Sequence, residues 1–569
     1  MYKLFLLKQA IALLCILIIT GFDNLFSQPL TKLSQFEIYL KPKYDAKDIA
    51  TGIEVSYTLP STYTQSKPKL DLLFYKMEPF LQRSTDQVTS LKVYDALGQI
   101  AFNKPTEVTK HDLVMQQWSA LRQASGAVQV SYYVPVAIPF PAKRGPHVDL
   151  QAAGGGLSGT LGSFLLLPDP GDSVQLQLHW QLPAGHTAVS TAGMGNCTVK
   201  DSFQTVLFCQ FLAGKMSVYP ANAGNTGFSM YALGHTSNEI QALGGWSQKT
   251  YEQLRKRLNG SVDEPFRFLI RTYEGGPLQS GVAAHGSFLI YLPPTQSTTD
   301  PELPSLVAHE MVHAFLLGLS SPTEGIDDWY NEGIADYLAI KIPFEAGLYT
   351  AKQYLELVNE ESALYYTNSY RETPEKNIPA IKWSGRNAWS LGYSRGAHYF
   401  ANIDAKLRKL KGDKVSVISL VNTITDLCKK GKAPNDSTWV KLLQEQAGEW
   451  AVRDWQDMIS GRLLIPEPDA FPGLMSQTIK AGLFDLGFES PKNIRAGEKI
   501  KGLVKGSTAE KAGLQEGDEI ATTIAINPTY SSYTLPVTIT VRRPSRVIPI
   551  TFQPRRGQVD AIEWKPISK

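Results

Sequence analysis

Two histidines four residues apart, on a run that is otherwise apolar, most narrow what this chain can fold into. The run is Leu306-Val307-Ala308-His309-Glu310-Met311-Val312-His313-Ala314-Phe315-Leu316. Residues four apart lie on one face of an α-helix, so both imidazoles project from the same stripe. Buried polar groups without partners are costly, and three of them on so apolar a helix require a shared partner. The bland alternative is an amphipathic helix with core or surface histidines. A catalytic zinc ion takes three protein ligands and leaves one position to water. Eighteen residues separate His313 from Glu332, which stands in Trp329-Tyr330-Asn331-Glu332-Gly333. A carboxylate from a second helix completes the set. His309, His313 and Glu332 are therefore the candidate ligands of one Zn2+ per chain. Glu310 is placed on the same helix to handle water rather than to bind metal. Asp336, one turn beyond Glu332, is positioned to accept a hydrogen bond from a ligand histidine, as such ligands require.

This pattern resembles the gluzincin metallopeptidases, the thermolysin and aminopeptidase side of the zinc peptidases. Asn331 to Asp336 resembles their N-E-G-I-x-D segment, which implies that Asn331 and Asp336 hold the two ligand histidines. Tyr393-Ser394-Arg395-Gly396 is similar to the Y-x-K-G segment of related aminopeptidases. That likeness implies Tyr393 as hydrogen-bond donor to the oxyanion of amide hydrolysis. The resemblance covers most of the chain after about residue 235. It departs in one place. Related aminopeptidases carry a strand such as G-G-L-E-H whose Glu holds the substrate amine. Here Gly281-Val282-Ala283-Ala284-His285 keeps Gly281 and His285 as substrate-site candidates and puts Ala284 where the acid is expected. An alanine offers no ion pair to an ammonium group. Glu274, in the preceding loop, is the alternative acid. Aminopeptidase and endopeptidase readings both stay open.

The chain has 569 residues, too many for one core, and three domains are expected. A net charge of +3 with no basic stripe gives no argument for nucleic acid as a partner. Lys3 and Lys8 precede an apolar run from Ala10 to Thr20, with Ser27-Gln28 after it. That reads as a secretory signal peptide over 1–27, with no stable membrane span once it is removed, and an exported (secreted or periplasmic) protein. Three cysteines then remain. Cys197 and Cys209 flank Lys200-Asp201-Ser202, read as a hairpin turn. Either they form a disulfide or they are independent buried thiols. Cys428 reads as a core residue.

A multi-domain organisation follows from the change of period. Residues 28–235 read as an N-terminal all-β sandwich, antiparallel, with strands such as Phe36–Leu40, Ile53–Leu59, Val128–Val136 and Val174–Trp180. Residues 236–465 read as an α+β catalytic domain, thermolysin-like by the resemblance, sheet first and helices after. Residues 475–560 resemble a PDZ domain, a β domain carrying Gly506-Ser507-Thr508-Ala509 and Ala512-Gly513-Leu514-Gln515-Glu516-Gly517-Asp518. This order of domains resembles the glycyl aminopeptidase family. The expected activity is that of an exported zinc peptidase acting on peptide or protein substrates, with a peptide C-terminus as a second ligand at the PDZ-like domain. The alternative is a peptide-binding protein whose zinc is structural or whose activity is lost.

Overall fold

The computed structural model describes residues 34–567, apart from 66–68, 77–87, 112, 138–148, 225, 262, 273–279, 285, 294–295, 324, 490–493 and 525. The expected signal segment, Glu274 and His285 lie outside the described residues. The chain divides into two compact units. One comprises the chain up to Arg255 together with Gly260–Phe315, the other Lys256–Asn259 with Leu316–Lys569.

Strand alternation builds the first unit. In Ser34–Tyr44 the side chains of Phe36, Ile38 and Leu40 are buried while those between them are exposed, as period-2 patterning requires. This strand sits inside a seven-stranded sheet, ordered Cys197–Ser202, Ser173–Trp180, Ser34–Tyr44, Ala50–Leu59, Val128–Pro135, Thr89–Asp95 and Gly98–Gln99. Two four-stranded sheets share its hydrophobic core. The expected strands are present. One pairing differs from the antiparallel reading: Ser34–Leu40 runs parallel to Val174–Trp180. Alternation fixes which face is buried but not the direction of a distant partner. The Cys197–Cys209 segment is not a hairpin. Lys200-Asp201-Ser202 ends a strand, and Ser202 caps the short helix Phe203–Leu207. No disulfide joins Cys197, Cys209 or Cys428 among the described residues. Cys428 is buried, as expected of a core residue.

The first unit also contains a five-stranded sheet of β1 (Met216–Tyr219), β2 (Gly227–Leu233), β3 (Pro265–Thr272), β4 (Ser280–Ala284) and β5 (Ser287–Leu292), in the order β1-β2-β3-β5-β4. Strands β2, β3 and β5 are parallel. Helix α1 (Ser237–Arg257) makes the long crossover that a parallel β2–β3 pair needs. A domain boundary at 235 would separate β2 from β3, whose residues pair from Gly227–Pro265 to Leu233–Arg271. The sheet thus begins before that boundary, because β1 and β2 carry the same apolar signature as the strands preceding them. Helix α2 (Leu303–Phe315) follows β5, with Val307, Ala308, Met311, Val312 and Ala314 buried.

The second unit is helical and then sheet-rich. Helices α3 (Asp328–Glu345), α4 (Ala351–Tyr366), α5 (Arg386–Lys411) and α6 (Val417–Lys429) come first. Strands β6 (Leu474–Phe484), β7 (Glu519–Ile520), β8 (Val537–Arg543), β9 (Arg546–Phe552) and β10 (Arg555–Pro566) follow. Strand β6 pairs with β10, and β7-β8-β9 form a sheet. No helix among the described residues is long and apolar enough to cross a membrane.

Strand β10 is fastened to the helices. Asn359 of α4 bonds both the N–H and the carbonyl of Trp564, at 2.8 and 3.0 Å. The Trp564 indole donates to Ser362 Oγ at 2.9 Å, and Ser362 lies 3.0 Å from His398 Nε2. His398 Nδ1 lies 2.8 Å from the Ser394 carbonyl, which only accepts, so Nδ1 carries the proton and Nε2 takes the one from Ser362. Burial pushes the His398 imidazole down to about 4, so it stays neutral.

Helices α3 and α5 touch through backbone. A Cβ on Gly396 would collide with the Trp329 carbonyl and Gly333, one on Gly333 would collide with Gly396, and one on Gly392 would lie 2.5 Å from Asp328 Cβ. Gly396→Ala is expected to lower stability by about 1–3 kcal/mol, the usual cost of overpacking. Chemical denaturation against the wild type checks this, with an unchanged midpoint as the contrary result.

Candidate metal centre

Helix α2 delivers His309 and His313 from adjacent turns. Their Nε2 atoms are 3.0 Å apart, with ring centroids 4.7 Å apart and planes at 78°. Two Zn–N bonds of about 2.0–2.1 Å at a tetrahedral angle span roughly 3.3 Å, so the pair has the bite of a shared cation. Glu332 is on α3. The ligand atoms of His309, His313 and Glu332 all lie within 4.8 Å of one another, and each side chain is partly accessible. Two neutral nitrogens and one carboxylate are the donor set of hydrolytic zinc, and these residues fit it.

Glu310 shares the helix but turns elsewhere. It is buried, with 8% of its surface exposed. Its carboxylate lies against Gly281 of β4, where an added Cβ would be 2.5 Å from Cγ, Cδ and Oε1. Gly281 is thus required by close approach, and the backbone of β4 runs directly beside the Glu310 carboxylate. Strand β4 is the end strand of its sheet, bonded on one side to β5 with Gly281 opposite Ile290.

Tyr393 lies on α5 between Gly392 and Gly396, the two glycines that bring α5 onto α3. It is half-buried, and its ring packs 4.7 Å from that of Trp389. Asp336 sits one turn after Glu332 and within electrostatic reach of Arg386.

Asn331 does not hold a ligand histidine. Its Oδ1 accepts from Leu319 N at 3.1 Å and its Nδ2 donates to Leu319 O at 3.2 Å. The amide matches one backbone unit of the segment that follows α2, which explains why it turns away from the histidines. The same contact excludes a side chain at position 318, since a Cβ there would collide with Asn331 Oδ1.

Three charged groups of the second unit, Asp328, Lys382 and Arg386, escaped the sequence reading. Asp328, one turn before Glu332, forms an ion pair with Lys382 at 2.7 Å, both largely buried. Burial pushes the Asp328 carboxyl up, Lys382 pulls it back, and the charge of Glu332 pushes it up again. Arg386 opens α5 beside Trp389 and Tyr530. The i, i+4 spacing from Asp328 to Glu332 was the one signal available; Lys382 and Arg386 had none.

No family model matches the sequence, and no curated protein sequence does. Solved structures do. The chain overlays an aminopeptidase N family protein from Idiomarina loihiensis with a TM-score of 0.66 at 14% identity, covering 93% of this chain and 98% of that one. It overlays the M1 zinc metallopeptidase of Deinococcus radiodurans at a TM-score of 0.42, 14% identity and 78% and 98% coverage. For yeast LTA4 hydrolase in complex with bestatin the values are 0.43, 14%, and 77% and 68%. The first is a likeness of fold: a sheet-rich N-terminal part followed by a helical one. The other two are weaker and carry no weight.

Asn331→Ala would leave the Leu319 N–H and carbonyl unpaired in a buried place, a loss of about 1–3 kcal/mol. Urea unfolding measures it. The metal content of that variant should match the wild type's, whereas metal loss would restore Asn331 to a role in holding a ligand histidine.

Proposed function

We propose that this chain is a zinc-dependent peptidase. The observation that carries the reading is the convergence of His309, His313 and Glu332, with Glu310 on the intervening turn and held against a glycine strand. The fold shared with an aminopeptidase N family protein supports it. The three ligands would hold one Zn2+, whose chemistry when bound is Lewis acidity, lowering the pKa of water and polarising a carbonyl.

The chain's own residues do the rest. Glu310 accepts the proton of the attacking water and passes it to the leaving amine. Gly281 leaves room for that carboxylate, and the open side of β4 offers backbone groups to an extended peptide. Tyr393 donates its phenolic hydrogen to the oxyanion that develops as the amide is attacked. Ala284 provides no anchor for a free amine. The enzyme is aminopeptidase-like in ancestry, and endopeptidase cleavage remains the competing outcome.

The C-terminal part is proposed to be PDZ-like. Ser507 caps the turn Thr508–Lys511, Ala509 and Leu514 enter a core with Ile520, Ile539 and Val541, and Asp518 takes a two-pronged bond from Arg543 at 2.7 Å. Such a domain would take a peptide C-terminus. The domain order is that of the glycyl aminopeptidase family, and the N-terminal apolar run is proposed to direct export. A peptide-binding protein with a structural zinc is the rival account.

A peptide-library digest decides. Glu310→Gln should retain one zinc per chain and lose turnover by about 10²- to 10⁴-fold; full activity in that variant would overturn the role of the base, and a zinc-loaded wild type without turnover would favour the rival. Free and N-blocked members of the library separate exopeptidase from endopeptidase cleavage. Tyr393→Phe should keep zinc and lower kcat by about 10²- to 10³-fold, the cost of one oxyanion donor, and an unchanged kcat would remove Tyr393 from the mechanism.

A further inference from the structure

Arg386 is a charged side chain that the mechanism above does not use. Its guanidinium is deep in the fold, while part of the side chain stays accessible. It lies over the Trp389 ring at 4.7 Å and near the Tyr530 ring at 5.8 Å. Its Nε is buried without a hydrogen-bond partner. Among the described residues it forms no ion pair or hydrogen bond. The Tyr393 phenol and the Asp336 and Glu361 carboxylates are within electrostatic reach, yet none is bonded to it.

That combination is unusual for a structural arginine. A guanidinium carries five N–H donors in a fixed fork and stays protonated. Withdrawn from water, it ordinarily closes on a carboxylate or on carbonyls, as Arg395 does with Glu375 at 2.7 Å and the carbonyls of Arg371 and Thr373. Arg395 and Arg386 are on the same helix. Arg395 has both terminal nitrogens bonded, although its Nε too lacks a partner, whereas Arg386 is held only by aromatic faces. Stacking on a ring orients the plane of the fork and leaves its edge, where the N–H bonds point, unengaged.

The position of that edge is informative. Arg386 and Tyr393 lie two turns apart on α5, and Asp336 is one turn from Glu332 on α3. The guanidinium is thus within electrostatic reach of the proposed oxyanion donor and of a carboxylate one turn from the proposed ligand Glu332. We infer that Arg386 is a specificity-determining residue that binds a carboxylate of the peptide substrate through its guanidinium fork. This inference rests on the peptidase reading for the nature of its ligand. The carboxylate is either the free C-terminus of a short peptide or an acidic side chain, which present the same two oxygens.

Titration calorimetry on the full chain carrying Glu310→Gln, which holds peptide without cutting it, tests this. Two peptide pairs are used: tri-alanine as free acid against its C-terminal amide, and an amidated peptide with a central Glu against the same peptide with Gln. One pair should show about 10- to 100-fold tighter binding of the charged member, the value of a charge-assisted hydrogen bond. Adding Arg386→Gln should bring that ratio to within about threefold of one. The responding pair identifies the source of the carboxylate. If neither pair discriminates, if the ratio survives Arg386→Gln, or if no peptide binds, the inference is overturned. Should Arg386→Gln fail to fold, Arg386→Lys, which keeps the charge and removes the fork, replaces it; the ratio should fall by at least about threefold there, and an unchanged ratio overturns the assignment. Binding needs no turnover, so a wild type that binds carboxylates through Arg386 but cuts nothing defeats only the peptidase reading.

Discussion

The contact between α3 and α5 sets the positions of Glu332 and Tyr393 in the second unit. Gly333 and Gly396 meet backbone to backbone, and Gly392 lies against Asp328. At so short a separation the two helices have little freedom to slide, because any shift drives a side chain into a main chain. Glu332 precedes one of these glycines and Tyr393 lies between the other two. The proposed ligand and the proposed oxyanion donor are thus fixed by the same packing event. Trp329, Tyr399, Phe400 and Trp439 fill the space around it with edge and stacked ring contacts, so the approach of the helices is supported by bulk on either side.

The first unit uses glycine to the same end. Gly281 allows β4 to run beside the Glu310 carboxylate, just as Gly396 allows α5 to run beside Trp329. In neither case is an unusual backbone conformation the reason. The missing Cβ is what matters, since it lets a main chain occupy space that any other residue would claim. The Glu310 carboxylate beside that backbone is also held largely away from bulk solvent, with 8% of the residue exposed.

The parts of the structure that local chemistry determines were readable in advance. The apolar run with His309 and His313 is a helix, and the strands from Phe36, Ile53, Val128 and Val174 are where alternation puts them. What failed was non-local. Strand direction between Ser34–Leu40 and Val174–Trp180 depends on a connection too long to read. Strands β1 and β2 look like the strands before them yet join the sheet after them. Asn331 was assigned to a histidine through the likeness to the N-E-G-I-x-D segment, while the competing partner, the Leu319 backbone, lies in an irregular segment with no pattern. Arg386 was invisible because an arginine at a helix start usually faces solvent; only burial between two rings distinguishes it. His285 and Glu274, weighed for the substrate pocket, lie outside the described residues.

The chain of bonds from Trp564 through Ser362 and His398 to the Ser394 carbonyl has a temporal meaning. Helix α5 carries Tyr393 one residue before Ser394, and its interior histidine is bonded within the helices, while the indole that donates to Ser362 belongs to a strand more than 150 residues later in the polypeptide. A nascent chain lacking that strand would leave Ser362 without its indole donor and Asn359 without the Trp564 backbone. The seam between helices and strand therefore closes only once synthesis has passed Trp564, and the fold is completed late in the emergence of the polypeptide.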